Sequence, residues 1–172
     1  RSMEFDLIPT ERKQKLQSLR QFIQSQLSDQ KTVEAIVICT HNSRRSHMGQ
    51  LWLLAAAHWK GISSISTFSG GTEGTAVHPN TVAALRRAGF DISTTDTSSN
   101  PRYQAKLGDD LPTEILFSKK YEDDANPQQG FAAIMVCNDA DEACPIVFGA
   151  AFRVALPFED PKVADNTEQE AA

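Results

Sequence analysis

The strongest constraint on the fold is a strand–loop–helix pattern that occurs twice between residues 34 and 89. EAIVIC, Glu34–Cys39, is a short β-branched run that reads as a buried strand. A polar turn follows, then the Ala- and Leu-rich stretch SHMGQLWLLAAAH, residues 46–58, reads as a helix that Gly61 stops. Ser64–Phe68 reads as a second strand and the Gly-rich SGGTEGTAVHP as its loop. Pro79 then takes a favoured first helical position ahead of TVAALRRAG, closed by Gly89. This order is the grammar of a parallel sheet with crossover helices.

The rest of the chain extends that body. Phe131–Cys137 (FAAIMVC) supplies a third core strand and Phe152–Leu156 (FRVAL) a weaker fourth. The expected architecture is α/β, a three-layer sandwich whose central, mainly four-stranded parallel sheet is flanked by helices. Residues 10–29 form an amphipathic helix with Thr10 as N-cap and an apolar stripe of Leu16, Leu19, Phe22, Ile23 and Leu27, and its role is packing. Residues 93–130 are dominated by Ser, Thr, Asp, Asn and Pro. Two extended runs, around Arg102–Lys106 and Glu114–Ser118, flank GDDLP and suggest an inserted hairpin or flap. We expect a single domain over 1–172, with an N-terminal extension over 1–31 and a core over 33–163. Arg1-Ser2 ahead of Met3 reads as an addition to the native chain.

Composition narrows the partners. A chain of 172 residues can bury one self-sufficient core. Its net charge of −5 provides no global basic field, so nucleic acid and anionic membrane are not expected partners. No stretch approaches the roughly 18 apolar residues of a membrane span, and no signal-peptide pattern opens the chain. Three cysteines, an odd number, fit a reducing cytoplasm better than a secreted disulfide framework. Any bound anion must therefore be held by a local device.

Cys39-Thr40-His41-Asn42-Ser43-Arg44-Arg45-Ser46 has the makings of one. A turn from a parallel strand into a helix exposes several backbone N–H groups in one direction, a nest for an anion. Thr40 to Arg44 would line that nest, and Arg45 adds a permanently charged planar fork suited to a tetrahedral oxyanion. The same amides favour the thiolate of Cys39, and the Ser46 hydroxyl can donate to its sulfur. A bare C-x5-R fits an incidental buried thiol equally well. Its place after a strand and before a helix, with Ser following Arg, favours the chemical reading.

Cys39, Asn42, Arg45 and Ser46 resemble the C-x-G-N-x-x-R-S signature of the low-molecular-weight protein tyrosine phosphatase superfamily. His41 stands where that family has Gly. SGGTEGTAVHPNTVAALRRAGFDI resembles a second family segment, although a Gly-rich turn and a helix cap suffice for most of it. His78 and Glu73 are assigned no catalytic role.

Cys137-Asn138-Asp139-Ala140-Asp141-Glu142-Ala143-Cys144-Pro145 begins at the end of the third core strand, where α/β sheets carry functional loops. Zinc is a poor explanation, because a single C-x6-C lacks the usual short spacing and a second pair. Two unrelated buried thiols remain one reading. The other is a dithiol able to exchange disulfides if its loop rearranges. The stretch resembles the C-x-x-A-D-x-x-C-P loop of the arsenate reductases that share the phosphatase fold and are commonly recycled by thioredoxin. Asp160-Pro161 resembles the superfamily's Asp-Pro, which carries the general acid, with Glu159 as neighbouring runner-up. On its own it reads equally as a surface turn.

The resemblance implies arsenate reduction: Cys39 as nucleophile, Arg45 as clamp, Asp160 as acid, and Cys137 and Cys144 passing a disulfide to a thioredoxin-like reductant. It covers about Val33 to Pro161. The family's C-terminal helix is absent or cut short, and Gln50 stands where some reductases have a potassium-binding Glu, so neither potassium nor any other metal or cofactor is expected. The alternative is phosphomonoester hydrolysis with the same Cys39, Arg45 and Asp160, Tyr103 and Tyr121 of the flap walling the site. A third reading is a non-catalytic phosphate-binding or redox-sensing module.

Overall fold

The doubled strand–loop–helix pattern becomes a parallel sheet in the computed structural model, which describes residues 5–108, 111–144 and 146–168. A short 3-10 turn at Phe5–Leu7 leads into α1 (Thr10–Ser28), β1 (Val33–Cys39), α2 (Arg45–Trp59), β2 (Ile65–Gly71) and α3 (Pro79–Arg87). Next come β3 (Asp91–Ser93), β4 (Tyr103–Lys106), β5 (Glu114–Leu116), β6 (Ala132–Met135), α4 (Asn138–Ala143) and β7 (Phe152–Ala155), with a closing 3-10 turn at Pro161–Ala164. Strands β2-β1-β6-β7 form one four-stranded sheet in which every pair is parallel.

Register fixes what meets what. Cys39 lies level with Gly71, and Ile38 with Met135, so the chain leaves β1 and β6 at the same sheet edge. Ala35, Thr67, Ala132 and Phe152 share one row and hence one face. That face carries both long helices. Phe22 of α1 stacks on Phe152 with ring centroids 5.0 Å apart, and α2 approaches so closely that a Cβ on Gly49 would meet Val37 Cγ1 at 2.7 Å. The opposite face, with Ile36, Ile38 and Met135 fully buried, is covered by α4 and by residues around Tyr121. A separate core cluster of Leu51, Val82, Leu85, Ile92 and Leu116 joins α2 and α3 to the β3-β4-β5 sheet.

Several expectations change in detail. Thr10 is the first residue of α1 rather than its cap: Pro9 holds the N-cap position with extended backbone and no side-chain bond. Leu16 is 38% exposed, because α1 rides on the edge strand β7 and only Leu19, Phe22 and Ile23 reach the main core. β2 continues through Gly70 and Gly71, beyond the Phe68 at which the sequence pattern ends it. The two glycines are strand residues because backbone packs directly on them: a Cβ at Gly70 would sit 2.4 Å from Tyr121 Cα. The expected β4–β5 hairpin forms, and Asp91–Ser93 joins it as a third antiparallel strand. The segment after Cys137 is a short helix, not an open loop. Asp109 and Asp110 of GDDLP, Pro145 and the opening Arg1-Ser2-Met3 lie outside the described residues. Among the described residues, no helix is long and apolar enough to cross a membrane.

Candidate active site

The turn from β1 into α2 holds its carbonyls outward one after another. Cys39 O accepts from Thr72 N at 3.1 Å and Thr40 O from Glu73 N at 2.8 Å. His41 O accepts from the hydroxyls of Thr75 and Ser118, each at 3.0 Å, and Asn42 O from His47 Nε2 at 2.8 Å. Ser43 O takes His78 N at 3.0 Å, and Arg44 O takes Met48 N at 3.2 Å. In a trans peptide the N–H opposes the preceding C=O, so six outward carbonyls turn the intervening amides toward the loop's centre. Amide donors converging at a helix N-terminus are chemically suited to hold an oxyanion.

Cys39 Sγ sits at the base of that ring, 3.1 Å from Ser46 Oγ. Asn42 Nδ2 already donates to this hydroxyl oxygen at 2.8 Å, which leaves the hydroxyl hydrogen to point at sulfur. A donor aimed at the sulfur holds it in place at the base of the ring. Asn42 is wholly buried, has φ of 45°, and also accepts Lys119 N at 2.8 Å through Oδ1. Asn is among the residues that adopt this left-handed backbone most readily. His41, where the resemblance has Gly, keeps negative φ; its imidazole stands at the rim, 3.8 Å from Glu73 Oε2. The left-handed position of the turn is Asn42, so position 41 has no conformational need for glycine.

His47 escaped sequence reading. It is buried, with Nε2 on Asn42 O at 2.8 Å and Nδ1 3.1 Å from Ser69 Oγ. Burial pushes its pKa down to about 3, so the ring is neutral at physiological pH. A carbonyl only accepts, so Nε2 carries the proton and Nδ1 receives the Ser69 hydroxyl. The ring thus fixes the Asn42 carbonyl from behind. Nothing in SHMG separates this His from any other on a helix; only the fold buries it.

A cleft of about 460 Å³ opens above Cys39, lined by His41, Ser43, Arg44, Arg45, Thr75, His78, Asp160, Lys162 and Asp165. Arg45 reaches across it, donating from Nη2 to Asp160 Oδ2 at 2.8 Å and from Nη1 to Phe158 O at 2.9 Å. Asp160 was expected beside the nucleophile. It lines the same cleft as Cys39, 41% exposed and paired with the guanidinium, its other oxygen accepting from Lys162 N at 3.0 Å. Arg44, expected to bind substrate, is occupied otherwise: it grips Asp165 with two bonds of 2.7 and 2.5 Å, and that grip holds the Asp165 carboxyl below its usual range. From α1, Arg12 donates to Pro157 O at 2.8 Å and stacks on the Phe158 ring at 4.1 Å, bracing the strand end that leads to Asp160.

Thr40 Oγ1 lies 3.4 Å from Cys137 Sγ, so the second cysteine reaches the residue next to Cys39. Cys137 is 1% exposed at the N-cap of α4, and Cys144 caps the other end, partly exposed beside Tyr121. Seven residues of helix span about 10 Å, beyond the roughly 7 Å that a disulfide bridges between Cα atoms. Tyr121 is buried with its backbone against Gly70, and Tyr103 packs into the second core cluster. Neither walls the cleft, because the inserted strands fold back onto α2 and α3 rather than over Cys39. Among the described residues, no cluster of three or more His, Cys, Asp or Glu side chains could hold a metal ion.

No family model matches the chain. It is 30% identical over 133 residues to an arsenate reductase of Bacillus licheniformis, covering 77% of each chain. To an arsenate reductase of Bacillus subtilis it is 27% identical over 135 residues, again covering 77% of each. Among solved structures, a low-molecular-weight phosphotyrosine phosphatase from Vibrio cholerae superposes with a TM-score of 0.49 at 15% identity, over 81% of this chain and 84% of that one. A thioredoxin-dependent arsenate reductase from Corynebacterium glutamicum gives 0.45 at 21% identity, over 86% and 59%.

Proposed function

The chain belongs to the arsenate reductase family, and from that premise we propose that it reduces arsenate through Cys39 with Cys137 and Cys144 as a disulfide relay. Arsenate occupies the ring of amides from Thr40 to Arg45, with Arg45 as clamp. The Cys39 thiolate attacks arsenic, and the oxygen that departs leaves as water with a proton from Asp160. Cys137 then attacks Cys39 Sγ. The S–As bond breaks with its electron pair going to arsenic, which leaves as arsenite, and a Cys39–Cys137 disulfide remains. The Cys144 thiolate attacks Cys137 Sγ and expels the Cys39 thiolate, so no electrons are gained or lost in this exchange. A thioredoxin-like dithiol protein, available in a reducing cytoplasm, reduces Cys137–Cys144 and becomes a disulfide itself.

The observation that carries this reading is the 3.4 Å approach of Cys137 Sγ to Thr40, because hydrolysis has no use for a second thiol beside the nucleophile. The cleft supports it as well: among the described residues no Phe, Tyr or Trp lines it, which leaves a phosphotyrosine ring without such a wall, whereas an inorganic oxyanion needs none. The final exchange requires α4 to unwind, since its ends are too far apart to bond.

Arsenate-dependent oxidation of thioredoxin, measured beside aryl-phosphate hydrolysis, tests the proposal. Cys39→Ser should remove both activities. Cys137→Ser should abolish reduction and leave hydrolysis at the wild-type level; arsenate reduction that survives Cys137→Ser overturns the relay.

A further inference from the structure

Arg153 has no place in the chemistry above, yet its guanidinium bonds both Asp141 and Cys144 at the C-terminal end of α4. It projects from β7 onto the α4 face of the sheet. Its Nε donates to Cys144 O at 3.2 Å, and its Nη2 to Cys144 O at 3.0 Å and Asp141 O at 2.9 Å. The same nitrogen pairs with the Asp141 carboxylate. These carbonyls are the end groups that a helix leaves without an internal partner. A helix of six residues has no stability of its own, so what holds its ends decides whether it exists.

We propose that Arg153 is the clamp that keeps α4 wound and thereby holds Cys144 away from Cys137 until the relay calls for it. Its contacts with Asp141 O and Cys144 O exist only in the wound form, and a Cys137–Cys144 disulfide only in the unwound one. Arg153 therefore stabilises the dithiol against the disulfide, and its release is the conformational step that admits Cys144 to Cys137. It acts as a positioning residue, never touching substrate. A planar guanidinium can span two carbonyls at once; an ammonium in its place keeps the charge and loses the fork. The proposal rests on the relay described above.

The test uses the full chain with Cys39→Ser, which leaves only one possible disulfide. The protein is equilibrated with mixtures of reduced and oxidised dithiothreitol, and free thiols are trapped and counted by mass spectrometry. Each pair of cysteine thiols gives two electrons and two protons to the oxidised reagent, which becomes its dithiol. Arg153→Lys and Arg153→Gln should each shift the midpoint toward the disulfide by roughly tenfold, about 30 mV more negative. Asp141→Asn, which loses only the ion pair, should shift it the same way by a smaller factor. Midpoints of all three variants within twofold of the parent overturn the clamp while leaving the relay intact. Absence of any Cys137–Cys144 disulfide in the parent, at every ratio, overturns the relay and the clamp with it.

Discussion

Acidification should weaken this fold through His47 before the Arg44-paired carboxylate of Asp165 contributes, while Glu114, whose pKa burial raises, works in the opposite sense. The ring is buried, donates to Asn42 O at 2.8 Å and has its pKa pushed down to about 3. In the unfolded chain the same imidazole titrates near its ordinary 6.5. Between those values the unfolded state binds the proton and the folded state refuses it, so stability falls as pH falls below 6.5. At pH 5 the difference is about 1.5 units at 1.36 kcal/mol each, or about 2 kcal/mol. That is a substantial share of the roughly 5–15 kcal/mol of an ordinary domain. Asp165, held low by Arg44, begins to cost only below the usual carboxylate range, outside this window. Urea unfolding followed by the fluorescence of Trp52 and Trp59, both on α2, reads the effect at pH 7.5, 6 and 5. His47→Asn removes the titration. It should lower stability at every pH but flatten the slope. Equal losses between pH 7.5 and 5 in wild type and variant would refute the assignment of His47 as the neutral prop of the loop.

Two further substitutions probe the loop's supports. A Cβ at Gly71 would lie 2.3 Å from Glu73 O, 2.5 Å from Thr40 O and 2.7 Å from Asn42 N, all backbone. Gly71→Ala should cost about 1–3 kcal/mol in thermal or urea unfolding and, by displacing the loop, reduce arsenate turnover about a hundredfold. Lys119 is 6% exposed, and burial brings its pKa down to about 8 from 10.5. The unfolded chain binds the extra proton between those values, so the Lys119 contribution to stability should rise from pH 8 to 10.5, against the opposite contributions of Cys144 and Tyr121, whose pKa values are raised. Lys119→Met should abolish that rise and, at pH 7, stabilise the protein by about 1–3 kcal/mol in urea unfolding.

What the sequence made legible was periodicity and punctuation. A β-branched run ending at Cys39, a polar turn and an Ala-rich helix leave one arrangement open to the backbone, and the loop forms where the letters put it. Gly70 and Gly71 misled for a physical reason: glycine signals a turn by its freedom, but here it is a strand residue required by the close pass of Tyr121 and Thr40. α4 was illegible because six residues carry no helical period, and Arg153, which bonds carbonyls at its C-terminal end, lies nine residues beyond Cys144. Pairings such as Arg44 with Asp165, 121 residues apart, and His47 with Ser69 arise from the fold and leave no local trace.

The proposed relay also gains a direction from burial. Cys39 lines the cleft, Cys137 is sealed inside, and Cys144 is partly exposed. Burial, and then the carboxylate of Glu122, push the Cys144 thiol up, so at rest it is both distant from Cys137 and protonated. Unwinding α4 would change both conditions together, carrying the sulfur toward Cys137 and away from Glu122. In the proposed relay, a thiol held apart from Cys137 by α4 would not form the disulfide before Cys39 needs a resolving partner. The groups around Cys144, Tyr121, Glu122 and Arg153, are not among those lining the cleft. In the proposed relay the oxyanion would therefore enter at the Cys39 cleft and the reductant on the Cys144 side, away from the residues that line that cleft.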